Sequence, residues 1–267
     1  MTAGKRQPAT EPLIEGPQDT TVDVEAELDA LAKRYRQAGG VGLQILNLVG
    51  DSAEGLLKRL PSNIRSRLDQ TTETALTQAM RAAHGSRRYV TDQPDWVNRV
   101  VTTSMGAAGG FGGLPSAMAE LPVTTTILLR TIQGVAVEYG FDPESDGVQF
   151  DCIRVFAAAG PLAEDDGTDL AFLTTRVAVS GPAVHALIAR VAPRLATVLG
   201  QKLAAQTVPV LGAVAGALTN FAYTSYYQEM AHVHFRLRKL AIEVDTPHED
   251  LVADLQARVA KPRIRRS

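Results

Sequence analysis

Apolar side chains recur along this chain every three to four residues, in runs too long for strands, and glycine, proline and short acidic stretches punctuate them. Val24, Leu28, Leu31 and Tyr35 fall on one face of a helix that starts near residues 19–21 and stops at Gly39-Gly40. The next run, residues 41–60, closes at Pro61. Ser62 then caps a third helix with Ile64, Leu68, Leu76 and Met80 apolar and His84-Gly85 at its end. A loop leads to Pro94, at the first position of another helix. Beyond Tyr139 the pattern predicts helices over residues 148–159 and 169–180, a run from Gly181 to Thr207 kinked at Pro193, one long helix or two over 208–244, and a short one over 249–259. Period-two alternation is absent. The reading is all-α: one bundle of nine or ten helices over residues 19–259, between a disordered arm at 1–18 and a basic mobile tail at 260–267.

Residues 100–143 organise the rest. Gly106, Gly109, Gly110 and Gly113 recur at helical steps and form a stripe against which another backbone can lie. Leu114-Pro115 breaks the run, and a second apolar helix is entered through Glu120-Leu121-Pro122 and ends with Gly140 as its C′ residue. Glycine and proline weaken helices, so their concentration in the most apolar part of the chain points to a packing or ligand role. Gly212 and Gly216 form a second small-residue stripe. Both stripes are expected inside the bundle, against other helices or each other.

Residues 203–228 carry no charge and are long enough to cross a bilayer. Thr219, Asn220, Thr224, Ser225 and Gln228 lie among them, and residues 101–119 are mostly Gly, Ala, Ser and Thr, so neither window is a good spanning helix. Two readings follow: central helices of a soluble bundle, or hairpins that dip into a bilayer or enclose a lipid chain.

Composition narrows the surroundings. A net charge of −2 makes no case for nucleic acid. Cys152 is the single cysteine, which excludes an intrachain disulfide and suits a reducing compartment. The polar N-terminus lacks the apolar stretch of a signal peptide. The expected location is therefore cytoplasmic, with association on the inner membrane face.

The candidate chemistry is sparse. No phosphate-binding loop, dinucleotide fingerprint or nucleophile elbow occurs. Glu229 and His232 form one Glu-x-x-His pair, the weak metal candidate, but a di-iron site needs a second pair and further glutamates. Asp142, Glu144, Asp146 and Gly147 fit half a calcium loop, yet Ile153 stands where its glutamate is required, so the stretch reads as a turn capping the next helix. No metal, cofactor or catalytic residue is assigned. Arg130, among Ile127, Leu128, Leu129 and Ile132, must find a carboxylate, carbonyls or an anionic ligand. Glu120, Glu138 and Glu229 are its candidate partners. Arg130, Glu120, Gly109, Gly110, Gly113 and Pro122 make up the expected ligand site.

The GGFGG run with Leu114-Pro115, the Leu-Pro-x-Thr-Thr segment at 121–125, Leu129-Arg-Thr-Ile132, and Glu-Tyr-Gly-x-Asp-Pro ending at Pro143 resemble the EcsC protein family. Residues 208–224 are similar to that family's second glycine-containing helix. The resemblance covers roughly residues 90 to 240. It implies a bacterial helical protein linked to membranes or secretion and supplies no catalytic residues.

The expectation is thus a non-enzymatic helical protein that binds a lipid or other apolar ligand and touches an anionic membrane surface. The alternatives are a metal-dependent enzyme at Glu229 and His232, and a homo-oligomeric scaffold joined through the glycine stripes.

Overall fold

The computed structural model describes residues 22–38, 53–58, 60–86, 89, 91–111, 113–158, 170–173, 181–206 and 212–260. Among them are ten α-helices, one 3-10 turn at Leu170–Leu173 and no strand: α1 (Val24–Ala38), α2 (Ala53–Lys58), α3 (Ser62–Arg65), α4 (Leu68–Ser86), α5 (Asp95–Phe111), α6 (Gly113–Glu138), α7 (Asp146–Phe156), α8 (Gly181–Gln206), α9 (Gly212–Glu243) and α10 (His248–Ala260). The all-α reading holds. Expectations over residues 1–21, 39–50, 159–169, 174–180, 207–211 and 261–267 lie outside the described residues.

Helix α9 is the axis of the bundle. From Ala215 to Ala241 most side chains are buried, and α5, α6, α1, α8 and α10 all pack on it. Its most extensive contact is with α5, which runs antiparallel to it. Gly216, Asn220, Thr224, Gln228 and His232 recur at every fourth position, along the shallow ridge of a helix surface. Each meets α5. A Cβ on Gly106 would stand 2.2 Å from the Gly216 carbonyl oxygen. Asn220 Nδ2 donates to the Thr102 carbonyl at 2.8 Å, and the Thr102 and Thr224 hydroxyls share a hydrogen bond of 2.7 Å. Gln228 Nε2 donates to the Asp95 carbonyl at 3.0 Å, and His232 reaches the Asp95 carboxylate at 3.1 Å. Asn220, Thr224 and Gln228, three of the uncharged polar residues that spoil α9 as a membrane span, are therefore rungs of a buried ladder. On another side of α9, Tyr223, Tyr226 and Tyr227 build an aromatic core with Phe156 of α7, and the Tyr223 hydroxyl donates to the Val198 carbonyl of α8 at 2.8 Å.

Three boundaries differ from the sequence reading. The helix expected from Ser62 is interrupted at residues 66 and 67 and continues as α4. Pro122 lies inside α6 rather than at its entrance. Helix α6 instead starts at Gly113, so Gly113 is not on the helix that carries Gly106, Gly109 and Gly110, and Pro115 does not break it. A proline in a helix removes one backbone donor and crowds the preceding turn; packing of α6 against α4, α5 and α9 holds it helical regardless. The end of α6 is as expected. Gly140 has φ +86, its N–H donates to the Val137 carbonyl at 2.9 Å, and Phe141 N–H donates to the Ala136 carbonyl at 2.9 Å. The acidic turn that follows caps α7 through Ser145, whose hydroxyl accepts from Val148 N–H.

The α5–α9 contact predicts opposite outcomes for two glycines. Gly106→Ala drives a methyl into a backbone carbonyl and should cost about 2–4 kcal/mol in urea unfolding. Gly85→Ala, with nothing within 4 Å of its new Cβ, should stabilise the protein by about 0.5 kcal/mol. A Gly106→Ala variant as stable as the wild type would contradict the packing.

Candidate functional site

Two acid–base groups stand alone in the uncharged half of the chain. Glu120 is the only charged residue between Arg99 and Arg130, and Lys202 the only one between Arg194 and Glu229. The fold brings them together. Lys202, with no exposed surface, donates from Nζ to Glu120 Oε1 at 3.2 Å. Asn220 Nδ2 donates to the same oxygen at 2.7 Å, and the Thr124 hydroxyl donates to it as well. Burial alone would raise the Glu120 carboxyl, but Lys202, Asn220 and Thr124 hold it below its ordinary value of 4.5. Burial lowers the Lys202 ammonium, an effect Glu120 opposes.

Gly109 makes room for this pair. A Cβ there would stand 2.2 Å from Glu120 Oε2. The glycines of α5 thus do two jobs: Gly106 admits the α9 backbone and Gly109 admits the carboxylate. The surroundings of Gly110 and Gly113 lie outside the described residues. Pro122 is exposed on α6 and its carbonyl accepts from Thr126 Oγ1 at 2.9 Å. Of the six residues expected to form a ligand site, Glu120 and Gly109 meet, and Arg130 lies elsewhere.

Arg130 pairs with none of its three expected carboxylates. Glu120 is ten residues away on the same helix, about 15 Å along its axis. The Arg130 guanidinium turns to the segment before α5, with Asp92 Oδ1 at 3.3 Å, the Ser86 hydroxyl at 2.9 Å and the Thr91 carbonyl at 3.4 Å. Its side chain is 15% exposed. The arrangement ties α6 to the link between α4 and α5 and fills the wall of a cavity of about 180 Å³ with Val97, Val101 and Ile127.

Glu229 and His232 also diverge. Glu229 pairs with Arg34 of α1 at 2.9 Å. His232 Nε2 donates to Asp95 Oδ2 at 3.1 Å, which leaves Nδ1 to accept from the Tyr139 hydroxyl at 3.1 Å. That hydrogen bond from His232 lowers the Asp95 carboxyl, while burial raises the Tyr139 phenol. No group of three or more metal-ligating side chains occurs among the described residues.

The Glu120–Lys202 layer marks a boundary in the molecule. Beyond it lie the C-terminal turns of α5 and α8 and the first turns of α6 and α9, and residues 100–119 and 203–219 hold no charged side chain. The described residues of these four helix ends therefore lie together at one end of α9. Met118, Val214 and Leu218 are exposed there, Val214 at 56%, and Val123 is exposed just past Glu120 on α6. At the other end of α9, Arg236 bonds Glu27 and Glu243, and Arg258 of α10 bonds Glu25 and Asp29 of α1. No described helix is long and apolar enough to cross a membrane.

Lys202 escaped the sequence reading, although its signal is there. A lone cation and a lone anion in two long uncharged runs have few other partners. Removing one should strand the other: Lys202→Met is expected to lower stability by about 3–5 kcal/mol, and Glu120→Gln/Lys202→Met to recover more than half of that. The Glu120 contribution is present above its ordinary value of 4.5 and lost as the pH falls through the lower folded value. Wild type should therefore lose more stability on acidification than Glu120→Gln. Equal acid slopes in urea titrations would reject this.

The model of the EcsC protein family matches residues 44–240. The match extends well N-terminal of the span expected from the motifs. A segment of 87 residues is 30% identical to the "Uncharacterized protein YdbA" of Bacillus subtilis (strain 168), covering 33% of this chain and 29% of that protein. The chain thus matches less than a third of that relative's length. No solved structure matches. The matched span contains both glycine helices, the α5–α9 ladder and the Glu120–Lys202 pair, and the chain belongs to the EcsC protein family.

Proposed function

We propose that this protein is a non-enzymatic, peripheral membrane protein that seats its uncharged end among the lipids of one leaflet. The observation that carries the reading is the juxtaposition of the two charge-free helix ends, with Val214, Leu218 and Met118 turned outward. Exposed apolar residues scattered singly need no explanation, but charge-free ends of neighbouring helices placed together do. Glu120 lies seven residues into α6, so about 10 Å of helix extends beyond the ion pair. That length matches the shallow depth of interfacial helices. Glycine, serine and threonine in the same turns temper the attraction to lipid, which favours reversible seating over permanent insertion. The basic residues 261–266, which follow α10 in the chain, add electrostatic attraction to anionic lipid, on the order of 1 kcal/mol for each cation near the surface.

Flotation with phosphatidylglycerol-rich vesicles tests the reading. The full chain should float at low salt and retain part of its binding at 1 M salt, where long-range attraction is screened. Val214→Asp/Leu218→Asp changes only exposed positions and should weaken the salt-resistant binding at least tenfold without altering the helical circular dichroism. Absence of flotation at low salt would sink the proposal. A concentration-dependent dimer that the same double variant dissociates would instead assign the uncharged end to a second copy of the chain.

A further inference from the structure

A cavity of about 690 Å³ lies between α7, α9 and α10, far from the uncharged end. Leu218 and Arg238 are separated by twenty residues of α9, about 30 Å along the helix. The buried part of the cavity wall joins a polar cluster to apolar side chains. Asp151 of α7 is its centre: Arg238 Nη1 donates to Oδ2, while His234 Nε2 at 3.4 Å and Arg154 Nη1 at 3.5 Å approach Oδ1. Burial would raise the Asp151 carboxyl, but His234, Arg238 and Arg154 hold it below the usual carboxylate range. Arg238 also lies 4.5 Å from the centre of the Phe141 ring, which fixes its direction. His248, the first residue of α10, donates from Nε2 to the Leu173 carbonyl at 3.3 Å.

One carboxylate cannot satisfy this set. Arg154 has a side chain only 9% exposed, and its Nη2 has no acceptor among the described residues. A guanidinium donor left bare in a protein interior is costly. Two guanidinium groups face the one buried carboxylate, and Asp245, at the rim, is exposed to water. Asp245 is also the only non-glycine residue at positive φ among the described residues, at 49, where the chain turns from α9 into α10 to close the cavity. Phe150, Leu173 and Ile242 supply apolar wall. The volume falls in the range of small-molecule sites and is too large for a bare ion.

We propose that this cavity binds a small organic molecule through a phosphate or carboxylate group received by Arg154, with its apolar part against Phe150, Leu173 and Ile242. The guanidinium of Arg154 offers one edge to Asp151 and the other to the ligand. Asp151 aligns both arginines and keeps the buried positive charge from exceeding that of one anionic group. The distance from the uncharged end makes the ligand a diffusible solute rather than the head group of a bilayer lipid, so this site stands or falls independently of membrane seating.

Calorimetric titration of the full chain with phenyl phosphate and with benzoate tests the proposal, with benzyl alcohol as the neutral control. At least one oxyanion should bind saturably at one site per chain, and benzyl alcohol should not. The stronger of the two identifies the preferred group. Arg154→Gln should weaken binding at least tenfold, with the helical circular dichroism unchanged. Ile242→Trp narrows the mouth from an exposed position without touching a buried charge, and should weaken it too. Failure of both oxyanions to bind saturably, or wild-type affinity in a folded Arg154→Gln, would overturn the site. If Arg154→Gln does not fold, wild-type affinity in Ile242→Trp overturns it alone.

Discussion

The close approach of α5 and α9 at Gly106 and Gly216 is the constraint on which the rest depends. Backbone meets backbone there, with no room for a single methyl group. At that separation ordinary side chains do not fit between the helices, and those that remain must be small or hydrogen-bonded across the gap. Asn220, Thr224 and Gln228 meet that demand, each bonding to Thr102 or Asp95. The ladder also sets the register of the two helices, because a shift of one turn would leave its buried polar groups unpaired.

That register in turn assembles the Glu120–Lys202 pair. Asn220 contributes to both, since its amide donates to the Thr102 carbonyl and to the Glu120 carboxylate. A buried ion pair is weak evidence for stability, because desolvation offsets much of the attraction. Its consequence here is geometric. Four helices, α5, α6, α8 and α9, contribute to one small polar centre, and a misplaced helix would leave a charge without its partner.

The same centre divides the molecule into unlike ends. On one side the ends of α5, α6, α8 and α9 carry no charge, and α6 and α9 turn valine, leucine and methionine outward. On the other, arginines of α9 and α10 bond carboxylates of α1 and α7, and the cavity around Arg154 opens among them. A single long helix spans both, so the two surfaces are held at a fixed separation by the rigidity of α9.

Sequence by itself determined the class of fold. Helical periodicity without alternation identified all-α structure, and Gly140 and the acidic turn after it marked the end of α6 and the approach to α7 through local bonding alone. The stripes of Gly106 and Gly216 also pointed to the bundle interior, where a small-residue surface admits another helix. Pairing was another matter. Composition offers Arg130 the carboxylates Glu120, Glu138 and Glu229, but the fold sets it against Asp92 and gives Glu120 to Lys202, 82 positions on. Likewise Glu229 and His232 share a helix face by spacing but turn to Arg34 and to Asp95 with Tyr139. Arg154, His234 and His248 carried no spacing signal at all, because they meet only where α7, α9 and α10 converge. Local structure follows from bonds within a few residues, which the order of side chains fixes. Which charges meet follows from how helices cross, and that is decided only when the whole bundle packs.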